Sequence, residues 1–229
     1  MSDVSHRVLL DGQREHWQEI LTATPDRFGA DPSAPAAAAE VFGAASVTRV
    51  LELGAGQGRD TLFFAQAGLQ VVALDYTYSA LEVIRAKAAA RGLGASVHTV
   101  RHDARAPLPF PDESFDACYS HMLYCMAFTE AELTLLSAEI RRVLRPGGLN
   151  VYTARTTEDP DYGTGVHHGE NLYESGGFIV HFLDTDSLQR LAGGFEQVAA
   201  ERFEEGPLPR RLVRVTLRKS TAGRGPAGA

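Results

Sequence analysis

A chain of 229 residues, 44% hydrophobic and 22% charged, is long enough for one α/β domain with a full core, and its composition is that of an ordinary globular protein. With 22 basic against 29 acidic residues, a formal charge of −7 and no dense Lys/Arg cluster before the tail, nucleic acid is excluded as the expected partner. Met1 to Leu10 lacks the basic start and apolar core of a signal peptide, and no later stretch is apolar for long enough to span a bilayer, so a cytoplasmic setting without a membrane partner is expected.

Asp11 to Leu21 places Trp17, Ile20 and Leu21 at helical spacing, and Thr24-Pro25-Asp26-Arg27-Phe28-Gly29 follows as a breaker-rich turn. Pro32 to Phe42 reads as an alanine-rich helix leading into the first strand, Val50-Leu51-Glu52-Leu53. That strand breaks into Gly54-Ala55-Gly56-Gln57-Gly58, and a helix restarts at Arg59-Asp60. Glycines at alternate positions reach φ values that other residues avoid and let a ligand approach the backbone, while the free N–H groups of the next helix point at it. Gly54, Ala55 and Gly56 therefore read as a nucleotide-type site. A dinucleotide fingerprint counted from Gly54 puts its third glycine on Arg59, so that match is incomplete. Glu52 speaks for charge: a carboxylate there repels a pyrophosphate and favours the sulfonium and ammonium of S-adenosylmethionine. Leu69 to Asp75 reads as the second strand, ending on an acid roughly 20 residues beyond the loop, where such folds place a carboxylate on ribose hydroxyls. Asp75 is expected to accept both hydroxyl protons, with Tyr76 beside it in the cofactor site.

Glu52-Leu53-Gly54-Ala55-Gly56-Gln57-Gly58 resembles the first motif of the class I S-adenosylmethionine-dependent methyltransferases, and the resemblance covers most of the chain. Within that superfamily, Gly58-Arg59-Asp60-Thr61-Leu62 with Ala65-Gln66-Ala67-Gly68 is similar to the tellurite-resistance and thiopurine methyltransferase branch. The resemblance implies an α/β fold: a Rossmann-like, doubly wound, mostly parallel seven-stranded sheet whose last strand is antiparallel. It implies S-adenosyl-L-methionine as cofactor and a small-molecule acceptor. It also implies that the leading segment folds over the cofactor as a lid, with Trp17 or Phe28 lining the pocket, although packing alone would equally explain those aromatics.

From Asp60 the pattern alternates: helix to Gly68, strand to Asp75, helix from Ser79 to Arg91, strand from Ala95 to Arg101. Such alternation predicts a parallel sheet with helices on both faces. The third strand ends at His102-Asp103-Ala104, where the resemblance implies that Asp103 accepts from the adenine amino group while the Ala104 N–H bonds the ring. A turn-capping role is the alternative for Asp103. Ser114 to Ser120 reads as the fourth strand, and its carboxyl end is the edge where ligands of open α/β folds collect. Ser120, His121 and Tyr124 are therefore expected to face the sulfonium and methyl group. Cys118 and Cys125, the only cysteines, have a spacing that suits neither a metal knuckle nor a disulfide framework, which predicts buried or pocket-lining thiols.

Glu130 to Leu144 reads as an amphipathic helix closed by Arg145-Pro146-Gly147-Gly148, and Leu149 to Thr153 as the fifth strand. Arg155 to Leu183 reads as one long irregular loop, rich in aromatics and histidines, closing the substrate side of the pocket. Arg155, Glu170 and Tyr173 are expected to touch the acceptor, together with Trp17 and Tyr124. Asp184 or Asp186 then caps a helix to Leu191, and Phe195 to Phe203 with Arg211 to Lys219 forms a hairpin whose turn lies on the active-site edge. One domain is expected over residues 1–220, with 1–45 as lid and 155–183 as substrate loop; 221–229 is expected to be a disordered tail.

Methyl transfer is an in-line displacement, so the protein mainly positions the acceptor and excludes water. An alcohol or amine acceptor profits from a base, whereas a thiolate or reduced chalcogen needs only positioning. His121, His168 and His181 are the candidates for base or orienting group. No metal is expected, because adjacent histidines have no standard ligand spacing. The rival readings are a nicotinamide oxidoreductase and a non-catalytic S-adenosylmethionine-binding protein, and the sequence assigns no oligomeric state.

Overall fold

The computed structural model describes residues 3–206 and 210–221. In chain order, α1 (Asp3–Ala23) and α2 (Ala38–Ala44) precede β1 (Arg49–Leu53), α3 (Arg59–Gln66), β2 (Gln70–Asp75), α4 (Tyr78–Ala90), β3 (Val97–Arg101) and β4 (Phe115–Ser120). There follow α5 (Glu130–Val143), β5 (Leu144–Arg155), β6 (Val166–Gly169), β7 (Leu172–Ser175), β8 (Phe178–His181), α6 (Thr185–Leu191), β9 (Phe195–Glu205) and β10 (Arg210–Lys219).

Alternating apolar residues explain the layers. Val50, Val71, Ala73, Ala117 and Tyr119 point to one face, where they meet Phe42, Leu62, Phe64, Leu81 and Ile84 from α2, α3 and α4. Leu51, Leu53, Val72, Leu74 and Cys118 point to the other, against Leu133, Leu136 and Ile140 of α5 and Leu191 of α6. Strands covered on both faces read as near-continuous apolar runs, which is why β1, β2 and β4 are buried almost throughout. The seven-stranded sheet has the order β3-β2-β1-β4-β5-β10-β9, with β10 antiparallel to both of its neighbours and the rest parallel, as expected. The chain runs outward from β1 to β3 and then returns to β4 on the other side of β1. That reversal opens a crevice at the carboxyl ends of β1 and β4.

Two expectations are corrected. The stop signal does end α5 at Val143, but Arg145 to Gly148 is an irregular start to β5 rather than a turn outside it: the register jumps from Phe115 opposite Leu144 to Ala117 opposite Leu149. Gly148 is required there, since a Cβ would stand 2.8 Å from the Arg145 carbonyl and 3.0 Å from that of Asp116. The second correction concerns residues 155–183, which are no irregular loop. They carry a three-stranded antiparallel sheet, β6-β7-β8. Its two-residue turns, Glu170-Asn171 (φ 50 and 61°) and Gly176-Gly177 (φ 59 and 83°), have both residues at positive φ, as primed hairpin turns demand. The small sheet packs on α1 through Leu10, Leu172 and Ile179. Gln13 covers its β8 edge, accepting from Ile179 N (3.1 Å) and donating to Gly177 O (3.0 Å).

Asp184, not Asp186, caps α6 by accepting from Ser187 N. Apart from Thr221, the expected tail lies outside the described residues. Among the described residues no helix is long and apolar enough to cross a membrane.

Candidate active site

β1 ends against the glycine loop, whose Gly54, Gly56 and Gly58 all have positive φ (68, 52 and 82°). Gly54 N and Ala55 N donate to Leu74 O at the end of β2, and Gly56 N donates to Asp75 Oδ2 at 2.8 Å. Asp75 Oδ1 accepts from Thr77 N, also at 2.8 Å, so each carboxylate oxygen keeps further acceptor capacity. A Cβ on Gly56 would meet nothing within 4 Å, which leaves the loop open to a ligand. Below it lie three buried carboxylates. Glu52 accepts from Thr61 Oγ1, and Asp60 accepts from Ser33 N and Ser33 Oγ, each at 2.7 Å. Burial, then the charge of Asp60, pushes the Glu52 carboxyl well above its usual range. Burial also raises Asp75, offset in part by the N–H groups of Thr77 and Gly56. Such a cluster gains from an arriving cation.

A cavity of about 410 Å³ starts at this loop and continues past the carboxyl end of β4 to the small sheet. Trp17 and Leu21 of α1, with Phe28, roof it; Tyr173, Phe178, Ile179, Val180 and Phe182 wall the far side. The Trp17 and Phe178 rings lie 5.1 Å apart, tilted by 55°, so roof and wall touch. α1 is fastened on the cofactor side too, through Gln18 and Thr22 to Ser79 (2.9 and 2.8 Å) and through Arg14 to Asp103 (2.8 Å).

Beyond the roof, His121 lines the cavity between two partners. Its Nδ1 lies 2.9 Å from Thr153 Oγ1, and its Nε2 lies 3.2 Å from Oε2 of Glu205, the last residue of β9. Thr153 Oγ1 also accepts from Met122 N at 2.9 Å, holding Met122 at a left-handed φ of 64°. His121, with burial opposing and Arg59 and Arg210 assisting, holds the Glu205 carboxyl below its usual range. Arg155 also lines the cavity, but its guanidinium is paired with Asp159 and Asp161 and sits 4.9 Å over the Phe182 ring. Cys125 lines the cavity with its thiol pushed up to about 11 by burial, while Cys118 is fully buried in the core.

Of the residues singled out from the sequence, Glu52, Gly54, Ala55, Gly56, Asp75, Tyr76, Trp17, His121, Arg155 and Tyr173 come together around this cavity. Phe28 and Cys125 join them there, while Ser120, Tyr124, Asp103, Ala104, His168, Glu170 and His181 do not line it. Ser120 is fully buried and on the same side of β4 as Cys118, inside the sheet face. Tyr124 stacks on Tyr152 at 4.0 Å in the core. Asp103 is taken up by Arg105 N, the Arg105 side chain and Arg14, and Ala104 belongs to the α5-side core. Burial opposes it, yet Arg105 holds the Asp103 carboxyl below its usual range. His181 is fully buried and donates from Nδ1 to Phe128 O at 2.7 Å, and burial lowers its pKa. His168 faces Glu174, with Nε2 2.9 Å from Oε2, and Glu170 accepts from Glu130 N at the start of α5. Glu205, Met122 and Phe178 escaped the sequence reading. The sequence expectation that the hairpin turn after β9 lies on this edge is the available signal for Glu205.

Residues 50–148 match a family described as a methyltransferase domain. A demethylmenaquinone methyltransferase of Renibacterium salmoninarum is 33% identical over 146 residues, 64% of this chain and 50% of that relative. The chain spans about half the length of the curated relatives it matches. The CcbJ methyltransferase from Streptomyces caelestis superposes with a TM-score of 0.68 at 22% identity, covering 88% of this chain and 95% of that one. A Burkholderia thailandensis 1,6-didemethyltoxoflavin-N1-methyltransferase, solved with its substrate and S-adenosylhomocysteine, gives 0.63 at 22% identity, covering 82% and 79%. TehB from Haemophilus influenzae gives 0.65 at 15% identity, covering 80% and 62%; at such identities the likeness is one of fold. Residues 50–148 thus match a methyltransferase domain, and the chain as a whole shares its fold with solved methyltransferases.

Proposed function

We propose that this protein transfers a methyl group from S-adenosylmethionine to a small-molecule acceptor. The observation that carries this reading is a single continuous cavity. One end offers an open glycine loop over buried carboxylates, and the other an aromatic wall with His121 and Glu205. The residues fit the cofactor: Glu52 suits its cationic end, Asp75 retains acceptor capacity for the ribose hydroxyls, and Gly54 to Gly56 with Tyr76 complete the cradle. When bound, S-adenosylmethionine supplies an electrophilic methyl group on a positively charged sulfur.

The chain's own contribution is enclosure and positioning. Trp17, Phe28 and Phe178 keep water from the cavity, while Tyr173, Phe182 and Met122 give an acceptor an apolar bed. Residues 1–220 work as one domain, with 1–45 as the lid and 155–183 as the acceptor wall. The size of the cavity and the formal charge of −7 favour a small molecule over nucleic acid, and a cytoplasmic setting belongs to the same proposal. His121 is the one of the three candidate histidines that remains at the reaction end.

Titration calorimetry with S-adenosylmethionine, S-adenosylhomocysteine and NAD tests the reading, followed by incubation with metabolite extracts and detection of S-adenosylhomocysteine. Binding of the two sulfur cofactors without NAD, and production of S-adenosylhomocysteine, is expected. NAD binding alone would establish an oxidoreductase. Tight S-adenosylmethionine binding without product from any extract would establish a non-catalytic binder.

A further inference from the structure

We infer that Glu205, rather than His121, takes the acceptor's proton, and that the acceptor accordingly bears an N–H or O–H group instead of being an anionic thiolate or chalcogenide. This rests on the methyl-transfer reading.

Thr153 carries a fully buried hydroxyl with two neighbours. One neighbour, Met122 N–H, can only donate to it. A buried hydroxyl proton needs an acceptor, and among the described residues the one available is Nδ1 of His121, 2.9 Å away. The neutral ring then carries its proton on Nε2, directed at Glu205 3.2 Å away. Both ring nitrogens are committed, and His121 has no lone pair to offer. It is a positioning residue, and Met122, held in left-handed backbone by the same hydroxyl, fixes the turn that presents it.

Glu205 has what His121 lacks. Its Oε2 meets the imidazole, while its Oε1 lies 3.9 Å from Arg59 Nη2 and has no hydrogen bond among the described residues. The carboxylate lines the cavity at the same sheet edge as the glycine loop. Attack by a nitrogen or oxygen builds positive charge on that atom and makes its proton strongly acidic, so a carboxylate is base enough. As the acceptor atom bonds to the methyl carbon, the carbon–sulfur bond breaks with its electron pair left on sulfur. The acceptor's proton passes to Glu205 Oε1 and from there to water. An anionic acceptor would meet repulsion from Glu205, whose charge also engages Arg59 and Arg210 of the cavity lining. The buried Arg155, which would otherwise attract it, is already paired with Asp159 and Asp161.

The tautomer is read by ¹⁵N NMR of histidine-labelled protein, which needs neither cofactor nor acceptor. A His121 proton on Nε2 is expected, retained in Thr153→Ser and redistributed in Thr153→Val. A proton on Nδ1 with a bare Nε2 would overturn the proposal. With cofactor, a panel of amines, hydroxylated aromatics and thiols is assayed for S-adenosylhomocysteine. Amines or hydroxyls are expected to turn over, with kcat in Glu205→Gln lower by about 100-fold or more, KM and S-adenosylhomocysteine affinity within about twofold, and partial rescue in Glu205→Asp. Preferred turnover of thiols, or a fully active Glu205→Gln, would also overturn it. Absence of S-adenosylmethionine binding would remove the methyl-transfer reading instead, with the tautomer result unaffected.

Discussion

Burying Glu52 beside Asp60 sets charge against solvation beneath the glycine loop. A carboxyl whose folded pKa is raised binds its proton more tightly in the native state than in the unfolded one. Its stabilising contribution is fully present below the unfolded value and is lost as pH rises through the raised folded value. The Glu52→Gln variant, which cannot ionise, should therefore gain in melting temperature over wild type as pH rises from the acid range to neutrality. Scanning calorimetry across that range would show a constant difference if the assignment were wrong. The same variant should bind S-adenosylmethionine at least about tenfold more weakly, the loss of one charge-assisted contact of about 1.5–3 kcal/mol. Asp75→Ala should lose at least as much, because Gly56 N and Thr77 N also lose their acceptor and the loop loosens. Unchanged affinity of that variant in titration calorimetry would move the ribose elsewhere.

Among the elements, the small sheet gives the sharpest substitution. Gly165 has φ 83°, and a Cβ there would run into the Glu174 carbonyl oxygen across the β6–β7 ladder. Gly165→Ala should cost roughly 1–2 kcal/mol in backbone strain alone, felt as faster proteolysis within residues 155–183 while the large sheet keeps its cooperative melt. Cleavage rates equal to wild type would contradict this. Part of this sheet was within reach of the sequence. Gly176-Gly177 between Leu-Tyr-Glu-Ser and Phe-Ile-Val-His is a hairpin signal. Four-residue strands of mixed polarity concealed it, because Phe178, Ile179 and Val180 of β8 all reach the cavity while Ile179 also packs on Leu10 of α1, so no clean alternation marks the strand. The glycine loop was readable because local spacing sets it, whereas the mostly parallel seven-stranded sheet with its antiparallel last strand was implied by the family resemblance. Side-chain direction at the carboxyl edge was not readable. Ser120 shares the parity of Cys118 and so turns into the sheet face, and Asp103 meets Arg14, a partner 89 residues away.

At the scale of the whole molecule, α1 is the bridge. Gln13 and Trp17 hold it to β8, while Arg14, Gln18 and Thr22 hold it to Asp103 and Ser79 on the cofactor side. A ligand beneath it should thus slow amide exchange in α1 and β8 together. Hydrogen-exchange mass spectrometry with and without S-adenosylhomocysteine would show protection of the glycine loop alone if the helix were not a lid. β10 lies between β5 and β9 although it is made after both, so β9 cannot join the sheet until its successor has been threaded into place. Glu205 arrives with β9. A nascent chain still lacking residues 210–219 presents β5 as an open edge, the kind of surface chaperones shield, and does not hold Glu205 against His121. On the proposed reading, His121 and Glu205 meet only once β10 is in the sheet, so a chain released before β10 should form no S-adenosylhomocysteine.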